Sequence, residues 1–302
     1  MTIKEIYLAG GCFWGVEHFF KGALGVVEAT PGYANGKGEN PSYEQVYTDT
    51  TGFAETVRVR YRPDHTSLQE LVRLFFAIID PLSLNRQGHD VGTRYRTGIY
   101  FTDPSELPLL QSLFDEQTAV LGTAPVTELE PLKCFYSAEE YHQDYLDKNP
   151  GGYCHLPLKA FRYLRLYQDL QALLGDEPDT IARMANTAAL IFERMRFFWV
   201  GFYRVDGQEL VLGPFQGPSA CQRIRYGKGV CGTSWAKGET IVVPDVEEFP
   251  GHIACSAASR SEIVVPVIRD GAVTAVLDID STELETFDRI DAAFLELVAR
   301  IV

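Results

Sequence analysis

The sequence predicts an α+β protein built as two domains. Three observations carry that expectation. The chain has 302 residues, enough for two separate cores. The run Gly175-Asp176-Glu177-Pro178-Asp179 interrupts two helical patterns with turn-forming and helix-ending residues. Before the break, short strands alternate with amphipathic helices. After it, apolar strands are joined at Asp206-Gly207 and Asp270-Gly271, a strong hairpin signal that fits an antiparallel sheet with helices packed on it.

Composition narrows the function. Hydrophobic residues make up 46% of the chain and charged residues 23%, ordinary values for a soluble globular protein. No apolar run reaches membrane-spanning length. Glu5 interrupts an N-terminal stretch too short for a secretory signal, so a cytoplasmic location is expected. The net charge of −14 argues against nucleic acid and anionic membrane as partners. Six cysteines, at 12, 134, 154, 221, 231 and 255, are too sparse for a disulfide scaffold and suit catalytic, redox or metal-binding roles.

In the first half, residues 3–8 are β-prone and residues 16–21 helical, with Gly10-Gly11-Cys12-Phe13-Trp14-Gly15 between them. Cys12 is thereby expected at a strand-to-helix turn, where the helix N-terminus favours thiolate over thiol. The glycines permit a tight turn, and Phe13 and Trp14 supply an apolar wall. A nucleophile for a small, partly apolar substrate fits these residues. So does a buried cysteine among core aromatics.

Residues 32–43 have the composition of a long loop carrying Tyr33 and Tyr43. Residues 57–61 alternate apolar and basic, a strand with one wet face. Glu55 lies at the start of this strand; the pattern favours a surface position, whereas an aromatic pocket would raise its pKa and make it a proton donor. Ser67 opens a core-facing helix ending at Asp80-Pro81, and a polar loop over 85–96 carries His89, Asp90 and Tyr95. A strand over 97–101 leads to a helix with Pro104 at its first position. Ser137-Ala138-Glu139-Glu140 has capping-box spacing and predicts a helix to about Asp147. Residues 149–155 form a glycine-rich tail from which Cys154 could reach another thiol.

In the second half, residues 158–175 and 180–195 are helical, followed by the two hairpins and a helix over about 286–302. Asp278 and Asp280 are two apart on one strand and share a face. In so apolar a run they need a partner or a cationic ligand. Glu262 precedes the neighbouring strand, and Trp199 and Tyr203 share a face. Cys221, Cys231 and Cys255, with His252, could bind zinc, but they lack paired C-x-x-C spacing.

Gly11-Cys12-Phe13-Trp14-Gly15, Gly32-Tyr33, Asn40-Pro41-Ser42-Tyr43, Gly52-Phe53-Ala54-Glu55 and Gly92-Thr93-Arg94-Tyr95-Arg96 resemble the peptide methionine-(S)-sulfoxide reductases, the MsrA family. Glu140-Tyr141-His142-Gln143 and Tyr145-Leu146-Asp147-Lys148-Asn149-Pro150 extend the resemblance, which covers residues 1–158. It implies an α/β sandwich with a ferredoxin-like core. Cys12 would be the nucleophile, Glu55 the acid and Cys154 the resolving thiol. Tyr43 and Tyr95 would hold the sulfoxide oxygen, Asp90 would support the site, and Phe13 and Trp14 would cage the methyl group. Cys134 stays unassigned.

Residues 159–302 resemble the GAF-type free methionine-(R)-sulfoxide reductases. The matching stretches include Trp199-Val200-Gly201-Phe202-Tyr203, Ala220-Cys221, Gly227-Lys228-Gly229-Val230-Cys231-Gly232-Thr233, Pro250-Gly251-His252-Ile253-Ala254-Cys255, Ser261-Glu262-Ile263 and Leu277-Asp278-Ile279-Asp280-Ser281. The resemblance implies Cys255 as nucleophile and Cys221 as resolving thiol, with Cys231 a further or alternative partner. Glu262, Asp278 and Asp280 would bind the substrate ammonium, and Trp199 and Tyr203 would enclose the methylthio end. Ser256 departs from the family pattern, in which an acid often follows the Cys255 position. Both resemblances imply disulfide products recycled by thioredoxin or another dithiol, with no organic cofactor and no metal. A ligand- or redox-sensing GAF module that regulates the first half is the alternative.

Overall fold

The structure, a computed structural model, describes residues 2–253 and 256–302. It divides into two compact units, Met1–Phe161 and Arg162–Val302.

The first unit contains β1 (Lys4–Gly10), α1 (Phe13–Lys21), β2 (Val26–Ala34), α2 (Tyr43–Tyr47), β3 (Ala54–Tyr61) and α3 (Leu68–Ile78). The short pair β4 (Arg86–Gln87) and β5 (Asp90–Val91) follows. Then come β6 (Thr97–Phe101), α4 (Leu107–Leu121), β7 (Glu128–Pro131), β8 (Phe135–Ser137) and α5 (Tyr145–Lys148). Six strands form one sheet in the order β7-β6-β1-β3-β2-β8. Its centre, β6-β1-β3-β2, is antiparallel throughout. With α1 and α3 as crossovers, this is the split-βαβ, ferredoxin-like arrangement. Val16, Phe19 and Phe20 of α1 and Leu71, Val72 and Phe75 of α3 are all 0% exposed. Each such side chain contributes about 1.5–3 kcal/mol of burial, which anchors α1 and fixes where Cys12 sits.

Three local expectations are corrected. Gly32, Tyr33 and Ala34 are not loop. They extend β2, because they pair with Thr56, Glu55 and Ala54 of β3 and with β8 on the other side. The helix expected over 137–147 shrinks to Tyr145–Lys148. The Ala138 N–H donates to the Pro31 carbonyl, and the Glu139 carboxylate accepts from the Tyr33 hydroxyl and from the Tyr43 N–H at the start of α2 rather than capping a helix of its own segment. The polar stretch 85–96 is partly ordered by the β4–β5 pair and a 3₁₀ turn at Thr93–Tyr95.

A continuous helix, α6 (Leu158–Leu174), links the sequences of the two units. The second unit continues with α7 (Thr180–Met195), β9 (Trp199–Asp206), β10 (Glu209–Gln216), β11 (Arg223–Arg225) and α8 (Gly229–Lys237). It ends with β12 (Ile241–Val243), β13 (Ser261–Arg269), β14 (Ala272–Ser281) and α9 (Arg289–Ile301). Its six strands form an antiparallel sheet in the order β11-β10-β9-β14-β13-β12. Both Asp-Gly hairpins are present, with Asp270 and Gly271 at positive φ (52° and 77°). Tyr163 fastens α6 within this unit by donating to Asp291 at 2.8 Å and stacking on Phe294. No helix among the described residues is long and apolar enough to cross a membrane.

Candidate active sites

In the first unit, β1 ends at Gly10 and the chain turns sharply through Gly11, whose φ is +86°. A Cβ there would also come within 2.6 Å of Gln87 Cβ, so the turn requires glycine. Cys12 follows as the N-cap of α1 and is 5% exposed. Burial and the neighbouring Glu55 charge push its thiol well above the ordinary range, against the opposing pull of the Trp14 N–H. The bias toward thiolate expected from the helix end is therefore outweighed, because the sulfur sits in a pocket that water does not solvate.

Glu55 is the second residue of β3, as expected, but this end of the strand is buried on both faces and Glu55 is 2% exposed. Its carboxylate accepts the Phe13 N–H at 3.0 Å. Burial still dominates and raises its pKa to about 8, so the group carries a proton at neutral pH. The surface position that the sequence pattern favours is thus wrong.

Tyr43 opens α2, and its backbone N–H donates to Glu139 at 2.7 Å. The Tyr33 hydroxyl donates to the other Glu139 oxygen at 2.7 Å. Tyr95 is buried, with the Arg94 guanidinium 4.4 Å over its ring, itself held by Asp49 at 2.7 Å. Burial, followed by the Glu55 charge, raises the pKa of both Tyr43 (to about 12) and Tyr95. Both hydroxyls therefore remain hydrogen-bond donors. Phe13 and Trp14 stand 6.4 Å apart, centroid to centroid. The Trp14 indole stacks on Tyr145 at 3.7 Å and donates to His142 Nδ1 at 3.1 Å.

Asp90, on β5, is bonded by the Tyr153 side chain. Its carboxylate, the Cys12 sulfur and a His155 ring nitrogen lie within 4.8 Å of one another. The 149–155 tail packs against α1. A Cβ on Gly15 would lie 3.2 Å from Cys154 Sγ and 3.0 Å from His155 Nδ1. Cys12 and Cys154 are both free thiols. Cys134 sits elsewhere, 3.9 Å from the Gly36 carbonyl. The sequence reading assigns no role to Glu139, Arg94, His142 or His155. The capping-box spacing conceals Glu139, whereas His155 is adjacent to a singled-out cysteine and could have been flagged.

In the second unit, strand register assembles the site. Glu262 pairs with Asp280, Asp280 with Trp199 and Asp278 with Gly201. A cavity of about 360 Å³ is lined by Cys231, His252, Ser259, Glu262, Asp278 and Asp280. An adjoining cavity of about 250 Å³ adds Trp199 and Tyr203 and shares both aspartates. Gly201 leaves room for the indole, since a Cβ there would lie 2.3 Å from Trp199 Cη2. Trp199 stacks between Phe215 at 5.5 Å and Tyr203 at 6.0 Å.

The three acids crowd together. Burial and then Asp280 raise Glu262 to about 8, while burial raises Asp280 to about 6. Burial and the two neighbouring carboxylates raise Asp278. Asp278 Oδ1 is buried with no hydrogen-bond partner among the described residues. His252 Nε2 lies 3.4 Å from Glu262. Cys231 is free and buried, hydrogen-bonded to Asp278, and burial and that carboxylate raise its pKa. Cys221 is held in a disulfide, which removes it as a thiolate ligand for zinc. Cys255 lies outside the described residues. The donor atoms of Cys231, Glu262 and Asp278 also lie within 4.8 Å of one another.

Comparison with known proteins also divides the chain in two. Residues 4–171 match the model of the peptide methionine sulfoxide reductase family, and residues 175–302 match that of the GAF domain. The chain is 54% identical over 156 residues to the peptide methionine sulfoxide reductase MsrA of Clostridium botulinum (strain Okra / Type B1), covering 52% of this chain and 99% of that protein. It is 43% identical to the crystal structure of Mxr1 from Saccharomyces cerevisiae in reduced form, with a TM-score of 0.50, covering 52% of this chain and 92% of that one. It is 53% identical to the X-ray structure of free methionine-R-sulfoxide reductase from Neisseria meningitidis in complex with its substrate, with a TM-score of 0.46, covering 46% of this chain and 84% of that one. The chain belongs to the peptide methionine sulfoxide reductase family and carries a GAF domain over its second half.

Proposed function

We propose that this methionine sulfoxide reductase has two active sites of opposite stereochemistry. The first reduces Met-(S)-sulfoxide, free or in protein. The Cys12 thiolate attacks the sulfoxide sulfur, Glu55 protonates the departing oxygen, and Tyr43 and Tyr95 donate hydrogen bonds to that oxygen. Phe13 and Trp14 enclose the methyl group. The protonated oxygen passes to the Cys12 sulfur as the new S–S bond breaks and the thioether leaves, giving a sulfenic acid, and Cys154 condenses with it, releasing water and forming a disulfide. The thiols of thioredoxin then reduce that disulfide by exchange.

The second site reduces free Met-(R)-sulfoxide. Cys255 attacks the sulfur and Cys221 resolves it, with Cys231 a further partner. Glu262, Asp278 and Asp280 hold the ammonium group, and one of these raised carboxyls supplies the proton. Trp199 and Tyr203 receive the methylthio end. The reading is carried by one recurring observation. Cys12 lies beside Glu55 in the first unit and Cys231 beside Glu262 in the second, and burial holds both carboxyls protonated near neutral pH, which supplies each site with a thiol and with an acid for the leaving oxygen.

Turnover of each free epimer by the whole chain with a dithiol tests the proposal. Both epimers are expected to be consumed. A chain that binds free Met-(R)-sulfoxide without reducing it would instead have a sensory GAF module.

A further inference from the structure

We propose that His155 is the general base that takes the Cys12 proton, with Asp90 stabilising the resulting imidazolium. The proposal rests on Cys12 being the nucleophile and names the group that generates its thiolate.

His155 Nε2 lies 3.0 Å from the Gly10 carbonyl oxygen, which can only accept. Nε2 must then carry the proton and donate, leaving Nδ1 with its lone pair in the neutral ring. Nδ1 is buried and has no hydrogen-bond partner among the described residues. The imidazole, the Cys12 sulfur and an Asp90 carboxylate oxygen lie within 4.8 Å of one another. An Asp90 Oδ2 atom is buried and unpartnered as well. A nucleophile, a base with a free lone pair and an orienting carboxylate therefore converge, which is the arrangement that activates a cysteine.

The need for a base is independent of that geometry. Burial and Glu55 keep the Cys12 thiol protonated, so the helix N-terminus does not suffice. Burial lowers the His155 pKa, so the imidazole is neutral and able to accept. The groups facing it are Asp90 from β5, Cys12 at the start of α1 and Cys154 in its own segment, with the Gln87 side chain beside it across Gly11.

The step balances. The Cys12 S–H bond breaks and its proton moves to Nδ1. The thiolate attacks the sulfoxide sulfur, the oxygen passes to the Cys12 sulfur and the thioether leaves, so Cys12 is oxidised by two electrons and the substrate reduced by two. Glu55 gives the oxygen its proton, and the His155 proton returns to the Glu55 carboxylate through solvent.

The test uses the full chain with Cys154→Ser, so that Cys12 reacts once. His155→Gln keeps an N–H for the Gly10 carbonyl but has no basic nitrogen. Cys12 alkylation by iodoacetamide, located by peptide mass, is followed against pH, together with single-turnover reduction of the S epimer. The pH midpoint is expected to rise, and the single-turnover rate to fall about 10-fold or more. Asp90→Asn should shift the midpoint the other way by a smaller amount, because it removes the anion that raises the imidazole pKa, while also slowing the single turnover. An unchanged midpoint and rate in His155→Gln would overturn the proposal. Should that variant fail to fold, an unchanged turnover rate in Asp90→Asn would do so. S-epimer turnover surviving in Cys12→Ser would instead remove the nucleophile assignment on which the proposal stands.

Discussion

Glu55 can protonate a departing oxygen only while it holds its own proton, and burial preserves that state to about pH 8. S-epimer turnover is therefore expected to decline above that pH. Glu55→Gln should lower kcat by about 10²- to 10⁴-fold and abolish the alkaline decline. A variant within threefold of the parent would exclude Glu55 as the acid. At this scale the sequence shows which residue types are present but not their solvation. Cys12 with Phe13 and Trp14 is conspicuous in six residues, whereas the burial of Glu55 depends on what covers both faces of β3 once β1 and β2 flank it. The same blindness explains the Cys12 thiol, where desolvation outweighs the helix end that the sequence does reveal.

Strand register does for the second site what the turn does for the first. Asp278 and Asp280 share a face because they are two apart on β14, which the sequence shows directly. That Glu262 stands opposite Asp280, and Trp199 on its other side, follows from pairing with β13 and β9, and pairing between distant strands is not local information. Asp278→Asn should weaken binding of free Met-(R)-sulfoxide, raising KM at least about 10-fold through loss of a buried charge-assisted contact. S-epimer turnover should not change. An unaltered KM for the R epimer would remove Asp278 from substrate binding. Elements with strong internal periodicity, such as α3, α7 and both hairpins, were legible in advance. The helix over 137–147 was not, because the Glu139 carboxylate that makes its cap convincing bonds instead to Tyr33 and to the Tyr43 backbone.

Across the whole molecule, buried acids tie stability to pH. Glu55 and Glu262 each have folded pKa values of about 8, raised from 4.5 by burial. Between these pH values the folded chain binds more protons than the unfolded chain, so stability falls as pH rises. The full contribution is present below about pH 4.5 and is lost by about pH 8. The thermal midpoint should be lower at pH 8.5 than at pH 5.5, and free methionine, which brings an ammonium group to the acid cluster, should recover part of the loss at pH 8.5. A midpoint that climbs over this interval would contradict the burial of these groups as acids. The two-part organisation was legible from the 175–179 break and the change to hairpins. Locating the division was harder, because the compact units meet at Phe161 and Arg162 inside the continuous helix α6, where periodicity gives no signal.

The central claim, two independent reductases in one chain, is tested most directly by dithiol-coupled turnover of each separate free Met-sulfoxide epimer. The comparison needs the parent chain, Cys12→Ser and Cys255→Ser. Cys12→Ser is expected to lose only S-epimer reduction and Cys255→Ser only R-epimer reduction. Loss of both activities in Cys12→Ser, or no R-epimer reduction by the parent chain, would contradict the claim.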